Sequence, residues 1–400
     1  MRLALNFQRI DPTRGGAETY VVDLCQRLVR AGHQLDVFAN SWKAGALPEA
    51  VGMIRVEAQG WSRSGRIWNF ARNSARALAA ASDRYDCSIG LINTWHHDVI
   101  IPQGGVHQAS LAANAMRFPS GWRRSAYILG KRANPKARLY RAIERRQYDP
   151  ARSARVVAVS EMVRGHLEKF HEVPRDRIRV IPNAINTDRL AVEDPARARR
   201  DFRRDLGLGP DDLIALFVGH NYSLKGLKPL LMALEERRRL DPSARPIHLL
   251  ACGGGRPAPF RELVRELGLD DVVHLQGFVP EIRSAFHASD FFVLPTYYDP
   301  CSLVVFEALA CGLPVITTAC NGAGEIMTEG REGFVIPAPD DRGSLIQAMG
   351  RMVDDEARRE MSAHARRLGR EQSFDQHVAR LIDLFEDVAG SRGSFARSAA

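Results

Sequence analysis

The sequence from residue 295 to residue 307 reads PTYYDPCSLVVFE, and it joins two apolar segments. The segment 290–294 ends directly before it, and the segment 313–318, rich in β-branched residues, follows it. Two strand patterns separated by a helical pattern are typical of a βαβ unit, whose strands are parallel. The stretch therefore predicts a loop and a helix start at the carboxyl end of a buried strand.

Strand and helix patterns alternate in this way along the whole chain. The other strand patterns lie at 3–7, 34–39, 86–92, 155–159, 178–181, 213–218, 247–251, 272–275 and 334–336. Helical patterns fall between most of them, and two helical patterns, 342–369 and 374–389, close the chain. The alternation predicts an α/β protein with two Rossmann-like, doubly wound domains that face each other across a ligand-binding cleft.

The division between the two domains is marked by composition. A polar, arginine-rich stretch at 191–212 is typical of a linker followed by a helix. We therefore predict an N-terminal domain at 1–188 and a C-terminal domain at 189–372. The residues 391–400 are expected to form a disordered tail.

Composition excludes several broad classes of protein. The chain has 400 residues, of which 45% are apolar and 26% charged, so it is not a disordered, collagen-like or disulfide-scaffold protein. The six cysteines lack paired spacing, and we expect reduced thiols. No run of 18 apolar residues occurs, and the chain opens on a strand pattern without a signal peptide. These features predict a cytoplasmic protein.

The net charge of +9 is unevenly distributed. Residues 1–200 carry a net charge of +15, and residues 201–400 carry −6. Arginine and lysine are interleaved with aromatic residues at 117–146, a pattern that suits an anionic membrane surface or a phosphorylated glycolipid. Single-stranded nucleic acid or a solvated helical face would also fit this pattern. Because no nucleic-acid-binding signature accompanies it, we predict peripheral contact with the inner face of the cell membrane and no nucleic-acid partner.

Several nucleotide and metal motifs do not occur in the sequence. There is no G-x-x-x-x-G-K-[ST] and no G-x-G-x-x-G after the first strand, which argues against a P-loop NTPase and a nicotinamide dehydrogenase. There is also no D-x-D, which anchors the diphosphate through a metal in one class of sugar-transfer enzymes. The run His96-His97-Asp98 has no specific metal-ligand spacing, so we assign no metal ligand.

The quoted stretch contains three features suited to a nucleotide. Ser302 is a good N-cap, so the first N–H groups of the helix, at Ser302, Leu303 and Val304, are expected to bind an anion such as phosphate. Asp299 lies in the loop just before this helix. Glu307 lies inside it among apolar residues, where a ribose diol would hydrogen-bond the carboxylate. The alternative is a surface helix with one solvated glutamate.

Two other loops carry weaker signals. Lys225 lies between a strand and a helix and is a suitable point charge for a diphosphate, although a solvated loop lysine is the commoner case. Gly15 and Gly16 follow the first strand, where glycine lets a ligand approach the backbone but also serves packing alone.

Taken together, these motifs resemble the retaining glycosyltransferases of family 4, which have the GT-B fold. The resemblance spans nearly the whole chain and rests on the Gly15–Gly16 turn, IPNAIN at 181–186, the Val218-Gly219 and Lys225-Gly226 pairs, GFV at 277–279, Asp299-x7-Glu307 and ACGLPV at 310–315. Among the subgroups, the chain looks most like the lipopolysaccharide core glucosyltransferases, which act on heptose.

The resemblance implies roles for individual residues. Glu307 would hold the nucleotide ribose, Asp299 would hold hydroxyls of the donor sugar, and Lys225 would neutralise the diphosphate leaving group. The other residues expected at the donor are Gly15, Gly16, Phe278, Val279, Cys301, Ser302 and Leu303. A final helix at 373–390 would return to the first domain.

The sequence departs from the family pattern at two positions. The first acid is usually glutamate, and here it is Asp299, which is one methylene shorter. The family often has arginine before its lysine, and here that position is Leu224. Lys225 must then carry more of the phosphate charge, or an arginine from elsewhere, such as Arg14, assists it.

Two residues of the first half complete the predicted site. The family has a histidine that contacts the donor sugar, and His107, beside Gly104-Gly105, is the best match. We also predict that Asp98 binds the acceptor. For His107 an ordinary packed or surface imidazole is the alternative.

The predicted function is that of a retaining glycosyltransferase that needs no metal cofactor. It would move a hexose, in the first place glucose, from a UDP-linked donor to a glycan or glycolipid acceptor such as lipopolysaccharide core heptose. The alternatives are a GDP-mannose-dependent mannosyltransferase, a nucleotide-sugar epimerase of the same fold, and a basic nucleic-acid-binding protein.

Overall fold

The computed structural model describes residues 1–13, 15–118, 120–255 and 257–398, with side chains as far as Ser391. The chain divides into two compact units. Unit 1 consists of Met1–Pro182 and the segment from Phe374 onward, and unit 2 of Asn183–Ser373. The first boundary thus lies at 182/183, a few residues before the predicted 188/189.

Unit 1 is built around a parallel sheet of seven strands. The strands of this unit are β1 (Arg2–Asn6), β2 (Arg9–Ile10), β3 (Gln34–Ala39), β4 (Ser41–Trp42), β5 (Gly52–Arg55), β6 (Cys87–Gly90), β7 (Val99–Ile100), β8 (Arg155–Ala158) and β9 (Ile178–Val180). The sheet order is β5-β3-β1-β6-β7-β8-β9, and β2 pairs with β4 outside it. Because the chain runs outward from β1 to β5 and returns at β6, the strand order reverses between β1 and β6.

Helices connect these strands. They are α1 (Gly16–Arg30), α2 (Arg63–Ala79), α3 (His107–Ala115), α4 (Trp122–Ala133), α5 (Pro135–Gln147) and α6 (Glu161–His171), with short 3₁₀ turns at Ser82–Arg84 and Arg175–Arg177. The basic block at 117–146 therefore lies mainly on α4 and α5.

Unit 2 has a six-stranded parallel sheet in the order β12-β11-β10-β13-β14-β15. The strands are β10 (Leu213–Val218), β11 (Ile247–Cys252), β12 (Val273–Gly277), β13 (Phe291–Leu294), β14 (Val315–Thr318) and β15 (Gly333–Ile336). The helices are α7 (Pro195–Asp205), α8 (Leu227–Leu240), α9 (Ala258–Glu266), α10 (Ile282–Ala288), α11 (Leu303–Ala310), α12 (Arg342–Arg351) and α13 (Asp355–Glu371), with 3₁₀ turns at Thr187–Leu190 and Gly322–Ile326. Here the strand order reverses between β10 and β13.

The sequence of β10 explains why it lies at the centre of its sheet. It reads LIALFV, and its first five residues are buried. A parallel strand covered by helices on both faces needs such a continuous apolar run.

The arginine-rich stretch predicted as a linker and helix forms α7 and packs on α10. Arg203 is buried and donates a hydrogen bond to Asp290 Oδ2 at 2.8 Å, and Arg199 donates to Asp290 Oδ1 at 2.6 Å. Arg203 also donates hydrogen bonds to backbone carbonyls, among them that of Ala288 at 2.8 Å. The buried charge is therefore compensated, as a buried ion pair requires.

The end of the chain differs from the sequence prediction in two ways. The single helix predicted at 342–369 is two helices, because the Asp354 carboxylate accepts hydrogen bonds from the N–H groups of Glu356 and Ala357 and starts α13. The last helix, α14, covers Phe374–Ser398, so most of the predicted tail at 391–400 is helical; Ala399 and Ala400 lie outside the described residues. No proline interrupts this segment.

Helix α14 is held in unit 1 by His377. Its Nε2 accepts a hydrogen bond from Tyr20 Oη at 2.7 Å, and its Nδ1 donates to the Pro182 carbonyl at 2.8 Å. Burial lowers the pKa of His377 to about 4, so the imidazole is neutral, as this donor and acceptor pair requires.

Candidate functional site

The loops that follow β10 and β13 meet where the strand order of unit 2 reverses. β10 pairs with β13 through Ala215↔Phe291 and Leu216↔Phe292, so their carboxyl ends are neighbours. One loop, 219–226, contains Lys225, and the other, 295–302, contains Asp299. Ligands of doubly wound sheets bind at such a position.

Backbone hydrogen bonds tie the two loops together. The Leu224 carbonyl accepts one bond from the Tyr297 N–H at 2.9 Å and another from Thr296 Oγ1 at 3.2 Å. Gly226 has φ 82°, and a Cβ there would collide with the Pro295 carbonyl. Glycine is therefore required at this close approach. Leu224 stands where the family often has arginine, and here its backbone carbonyl holds the two loops together.

The side chains of Lys225 and Asp299 form an ion pair between Nζ and Oδ2. They are 19% and 12% exposed, respectively, so the pair is mostly shielded but still reachable by a ligand. The backbone of Asp299 is held on both sides, because its N–H donates to the Cys320 carbonyl and its carbonyl accepts from Gly322, each at 3.0 Å. The structure thus joins two charges that the sequence placed in separate motifs.

The start of α11 is organised by Asn321 instead of Ser302. In the described structure, the Ser302 hydroxyl makes no capping hydrogen bond, and the Ser302 N–H donates to Asn321 Oδ1 at 3.3 Å. The prediction of a Ser302 side-chain cap and a free Ser302 N–H is therefore wrong: a side chain from the next βα loop takes that N–H. The N–H groups of Leu303 and Val304 remain in the first turn, where a helix has no internal acceptors for them.

Cys301 lies two residues before this helix, and its predicted contact with the donor stays a prediction. The thiol is buried, and burial raises its pKa well above the ordinary value. Its carbonyl accepts a hydrogen bond from Asn183 Nδ2 at 2.9 Å. A neutral, enclosed thiol of this kind is not reactive.

Glu307 lies just over one turn into α11 and keeps part of its side chain exposed. Desolvation among apolar neighbours raises its pKa to about 7, and the positive charge of Arg189 opposes this rise. At neutral pH the carboxyl is therefore poised between its two forms. Hydrogen-bond donors from a ligand would favour the ionised form.

The predicted base contacts lie further along the same sheet edge. Phe278 directly follows β12 and is 71% exposed, unusually so for a large apolar side chain. Val279 is partly buried. The loops of β11 and β12 are joined by a hydrogen bond from the Gly253 N–H to the Gly277 carbonyl at 2.6 Å. Their contact with a base stays a prediction.

In unit 1, Gly15 and Gly16 form the start of α1 at the carboxyl edge of the sheet. The Gly15 carbonyl accepts a hydrogen bond from the Thr19 N–H at 3.1 Å. Arg14, which the sequence offered as an additional phosphate ligand, lies outside the described residues. The diphosphate contact of the two glycines stays a prediction.

His107 and Asp98 occupy different parts of unit 1. The His107 N–H donates to Glu144 Oε1 at 2.7 Å, and its ring lies 5.6 Å from that of Tyr140; burial lowers its pKa. Asp98 precedes β7 at the amino edge of the sheet, where its Oδ2 accepts bonds from the Ser88 N–H at 2.8 Å and Ser88 Oγ at 2.6 Å. This position, opposite the edge that carries Gly15, does not favour the acceptor role predicted for Asp98.

A group of charged residues that no motif in the sequence indicates lies at the carboxyl edge of unit 1. Arg9, Glu18, Arg63 and Arg66 line a cavity of about 420 Å³ there. They are scattered over three elements, so only the alternation of strands and helices, which brings loop starts to one edge, could have indicated them.

No cluster of three or more His, Cys, Asp or Glu side chains suited to a metal ion occurs among the described residues. In that same part of the chain, every helix is too short or too polar to cross a bilayer.

The two halves of the chain match two glycosyltransferase families. Residues 14–189 match the family described as Glycosyltransferase Family 4, and residues 198–370 match the one described as Glycosyl transferases group 1. The two matches correspond closely to unit 1 and unit 2 and together take in most of the chain.

Curated relatives of similar length carry glycosyltransferase names. The chain is 28% identical to D-inositol 3-phosphate glycosyltransferase 2 of Catenulispora acidiphila, over 85% of this chain and 82% of that protein. It is 24% identical to lipopolysaccharide glucosyltransferase WaaG of Escherichia coli, over 84% of this chain and 85% of that protein.

Solved structures show the same fold. The crystal structure of WaaG, a glycosyltransferase involved in lipopolysaccharide biosynthesis, matches with a TM-score of 0.75 at 21% identity, over 96% of this chain and 99% of that chain. Anabaena Alr3699/HepE in complex with UDP matches with a TM-score of 0.68 at 16% identity, over 96% and 99%. The predicted GT-B fold is confirmed, and the chain is a glycosyltransferase whose two halves match the family 4 and group 1 descriptions.

Proposed function

We propose that this chain is a retaining glycosyltransferase that takes a hexose, in the first place glucose, from a UDP-linked donor. The observation that carries the proposal is the ion pair between Lys225 and Asp299 at the reversal point of the unit 2 sheet. It places a cation for a diphosphate and a carboxylate for sugar hydroxyls on adjacent strand ends.

The leaving group determines what the site must supply. As the bond between sugar and diphosphate breaks, negative charge develops on the diphosphate and positive charge on the sugar. Lys225 and the first N–H groups of α11 stabilise the diphosphate through preorganised electrostatics. Asp299 holds hydroxyls of the sugar beside them, with His107 as the partner that the resemblance implies.

Glu307 and the loop after β12 bind the nucleoside. The ionised Glu307 accepts hydrogen bonds from the ribose hydroxyls, and Phe278 and Val279 lie near the base. For the Gly15–Gly16 turn, a contact with the diphosphate is what the resemblance implies. UDP is supported by the Anabaena structure of the same fold, which is a UDP complex, and glucose by the name of the Escherichia coli relative.

The reaction retains the anomeric configuration without a protein nucleophile, as the resemblance implies. The departing phosphate oxygen accepts the proton of the acceptor hydroxyl while that hydroxyl forms the new bond to the sugar. We assign no general base and no metal, because Lys225 and the helix start supply the positive potential. The acceptor is a glycan or glycolipid; the relatives act on acceptors as different as lipopolysaccharide and inositol phosphate, judging by their names.

A thermal-shift panel tests the donor. We expect UDP and UDP-glucose to raise the melting temperature in the presence of EDTA, and GDP- and ADP-sugars to have little effect, because a ligand of the native state stabilises it. Slow hydrolysis of UDP-glucose in EDTA, followed by product analysis, is expected to release glucose with its anomeric configuration kept. A shift only with GDP-mannose, or hydrolysis that depends on an added divalent metal, would contradict the proposal.

We further propose that α4 contacts an anionic membrane surface. No side chain of this helix, described over its full length, is buried; Trp122 is 76% exposed and Leu129 70%. At about 100° per residue, these two lie on one stripe with Ala126, and Arg123 and Arg132 lie on either side of it. An apolar stripe flanked by cations suits the headgroup region of an anionic bilayer.

The other cations on α4 take part in packing within unit 1. Arg124 donates two hydrogen bonds to the Phe118 carbonyl, at 3.1 and 2.9 Å. Lys131 lies 5.6 Å from the centre of the Tyr127 ring. A test of membrane contact should therefore leave both unchanged.

Binding to liposomes tests this proposal. The double variant Arg123→Gln/Arg132→Gln is expected to bind anionic liposomes about 10- to 30-fold more weakly, because each cation near the surface contributes about 1 kcal/mol. Its UDP-induced thermal shift should be unchanged. The matched variant Arg200→Gln/Arg265→Gln, which removes two exposed charges from unit 2, should bind liposomes normally. Equal binding by all three proteins would leave α4 as a solvated helix.

A further inference from the structure

Helix α3 begins at His107 without a capping side chain from its own loop. That loop reads PQGGV at 102–106, and Val106, the N-cap residue, has no polar atom in its side chain. Gly105 has φ 66°, in the left-handed region that favours glycine. A glycine-rich loop of this kind determines the direction of the following helix only weakly. Another part of unit 1 must therefore fix the position of His107.

Glu144 of α5 supplies the missing cap. Its Oε1 accepts a hydrogen bond from the His107 N–H at 2.7 Å. A carboxylate at this position also interacts favourably with the positive end of the helix dipole. One turn earlier on the same side of α5, the Tyr140 ring lies 5.6 Å from the His107 ring, at an angle of 33°. Helix α5 therefore holds the backbone of His107 and lies beside its imidazole.

Helix α5 is a firm support for this carboxylate. Ile143 is fully buried, and its carbonyl accepts a hydrogen bond from Trp95 Nε1 at 3.2 Å. Gln147 is buried as well and donates to the Leu91 carbonyl at 3.0 Å. Both partners belong to the loop between β6 and β7. The residues on either side of Glu144 are thus tied to the connection between two adjacent strands, which keeps the carboxylate in place.

A carboxylate is a costly helix cap at this position. The Glu144 side chain is 12% exposed, and its Oε2 lies 3.5 Å from Nε2 of the buried His171. Among the residues that the structure describes, none forms a hydrogen bond with either of these two atoms. A buried carboxylate oxygen without a hydrogen bond destabilises the folded state. The choice of Glu144 is explained if the position of His107 matters more than stability.

We propose that Glu144 is a positioning residue that fixes the His107 imidazole for its contact with the donor sugar. The proposal rests on the glycosyltransferase function given above and on the role of His107 that the resemblance implies. Since His107 acts on the sugar, Glu144 affects the transfer of the sugar and not the binding of UDP. The reach of the side chain matters more than its charge, because Oε1 has to meet the His107 N–H.

Three variants test this proposal through the hydrolysis of UDP-glucose without an acceptor. Glu144→Gln keeps an oxygen at the same reach and should have a near-normal kcat. Glu144→Asp keeps the charge but is one methylene shorter, and Glu144→Met keeps the volume but has no acceptor. Both should lower kcat by about 10- to 100-fold, since a displacement of about 1 Å is enough for such a loss. Calorimetry should give the normal Kd for UDP in all three.

A double-mutant cycle separates positioning from a general loss of stability. In His107→Ala there is no imidazole to position, so adding Glu144→Met should lower kcat no further. Should Glu144→Met not fold, Glu144→Asp takes its place in the cycle. The control is Asp354→Ala, which removes the carboxylate cap of α13 in unit 2 and should leave kcat unchanged.

Several results would show the proposal to be wrong. They are a normal kcat for Glu144→Asp or His107→Ala, losses at Glu144 and His107 that multiply in the double variant, and a loss in Glu144→Gln as large as that in Glu144→Asp. In each of these cases the unmodified protein still hydrolyses UDP-glucose, and only this inference fails. If the unmodified protein neither binds UDP nor hydrolyses UDP-glucose, the proposed function itself fails.

Discussion

Replacing Lys225 with alanine is expected to lower kcat for sugar transfer by about 10²- to 10³-fold. The size is that of removing one preorganised group that stabilises charge developing in the transition state. Lys225 is held beside the start of α11 through the bonds that Leu224 accepts from the loop after β13. The measurement is steady-state turnover of UDP-glucose with an acceptor, alongside the melting temperature of each variant.

Lys228 provides the control for this substitution. It is three residues further along, on α8, exposed, and carries the same charge. Lys228→Ala should have near-normal turnover. If Lys225→Ala also has near-normal turnover, Lys225 does not stabilise the leaving group.

A double variant separates catalysis from simple pairing. Lys225 neutralises Asp299, so an unpaired carboxylate could account for a loss of activity in Lys225→Ala. In Lys225→Ala/Asp299→Asn no such carboxylate remains. We expect the double variant to be far less active than the single variant Asp299→Asn, which loses the same sugar-binding carboxylate, because the diphosphate still lacks its cation. Recovery to within about tenfold of the normal rate would reduce the role of Lys225 to pairing with Asp299.

Replacing Glu307 with glutamine is expected to stabilise the unliganded protein at pH 8 by about 1–3 kcal/mol. Burial raises the pKa of Glu307 from its ordinary value of 4.5 to about 7. Between these values the folded state keeps a proton that the unfolded state has lost. The free energy of unfolding contributed by this group therefore falls as pH rises from 4.5 to 7 and is level above that. Glutamine does not ionise, so the difference between the two proteins should vanish below pH 4.5.

The same substitution should weaken binding of the donor. Charge-assisted bonds from ribose hydroxyls to the ionised carboxylate are worth about 1.5–3 kcal/mol, or roughly 10- to 150-fold in Kd for UDP-glucose. Affinity of the unmodified protein should rise between pH 6 and pH 8 as Glu307 ionises, while that of the variant stays flat. UDP-glucose is the proper ligand because its diphosphate does not titrate in this range. Chemical denaturation and calorimetry measure the two effects.

If Glu307 serves ligand binding, its replacement should raise the stability of the unliganded protein and lower its affinity for UDP-glucose. A residue selected for binding is often not the one that makes the protein most stable. Glu262→Gln, on the exposed side of α9, is the control and should change neither quantity. A Glu307→Gln variant that is less stable and binds UDP-glucose normally would mean that the carboxyl serves packing.

Features that depend on local sequence could be predicted, and contacts between distant segments could not. The βαβ unit around 295–307 could be predicted because buried parallel strands have continuous apolar sequences, as in β10. The motifs of the candidate site could be predicted because each places a loop, a helix start and a charged residue within a few positions of one another in the sequence. The sequence did not show at which edge of the sheet Asp98 lies, because a carboxylate after a strand pattern can equally precede the next strand, and here it precedes β7 and binds Ser88.

The sequence by itself determined the α/β alternation, the resemblance to glycosyltransferases and the residue types of the predicted donor site, since all of these are properties of residues close to one another in the sequence. The tertiary structure alone decided which charges meet. Strand order places Lys225 against Asp299 and Arg9 near Arg63, and it places Asn321, from another loop, on the Ser302 N–H. Such contacts depend on which strands are adjacent in the sheet, and hydrogen bonding between distant segments, not local sequence, sets that order.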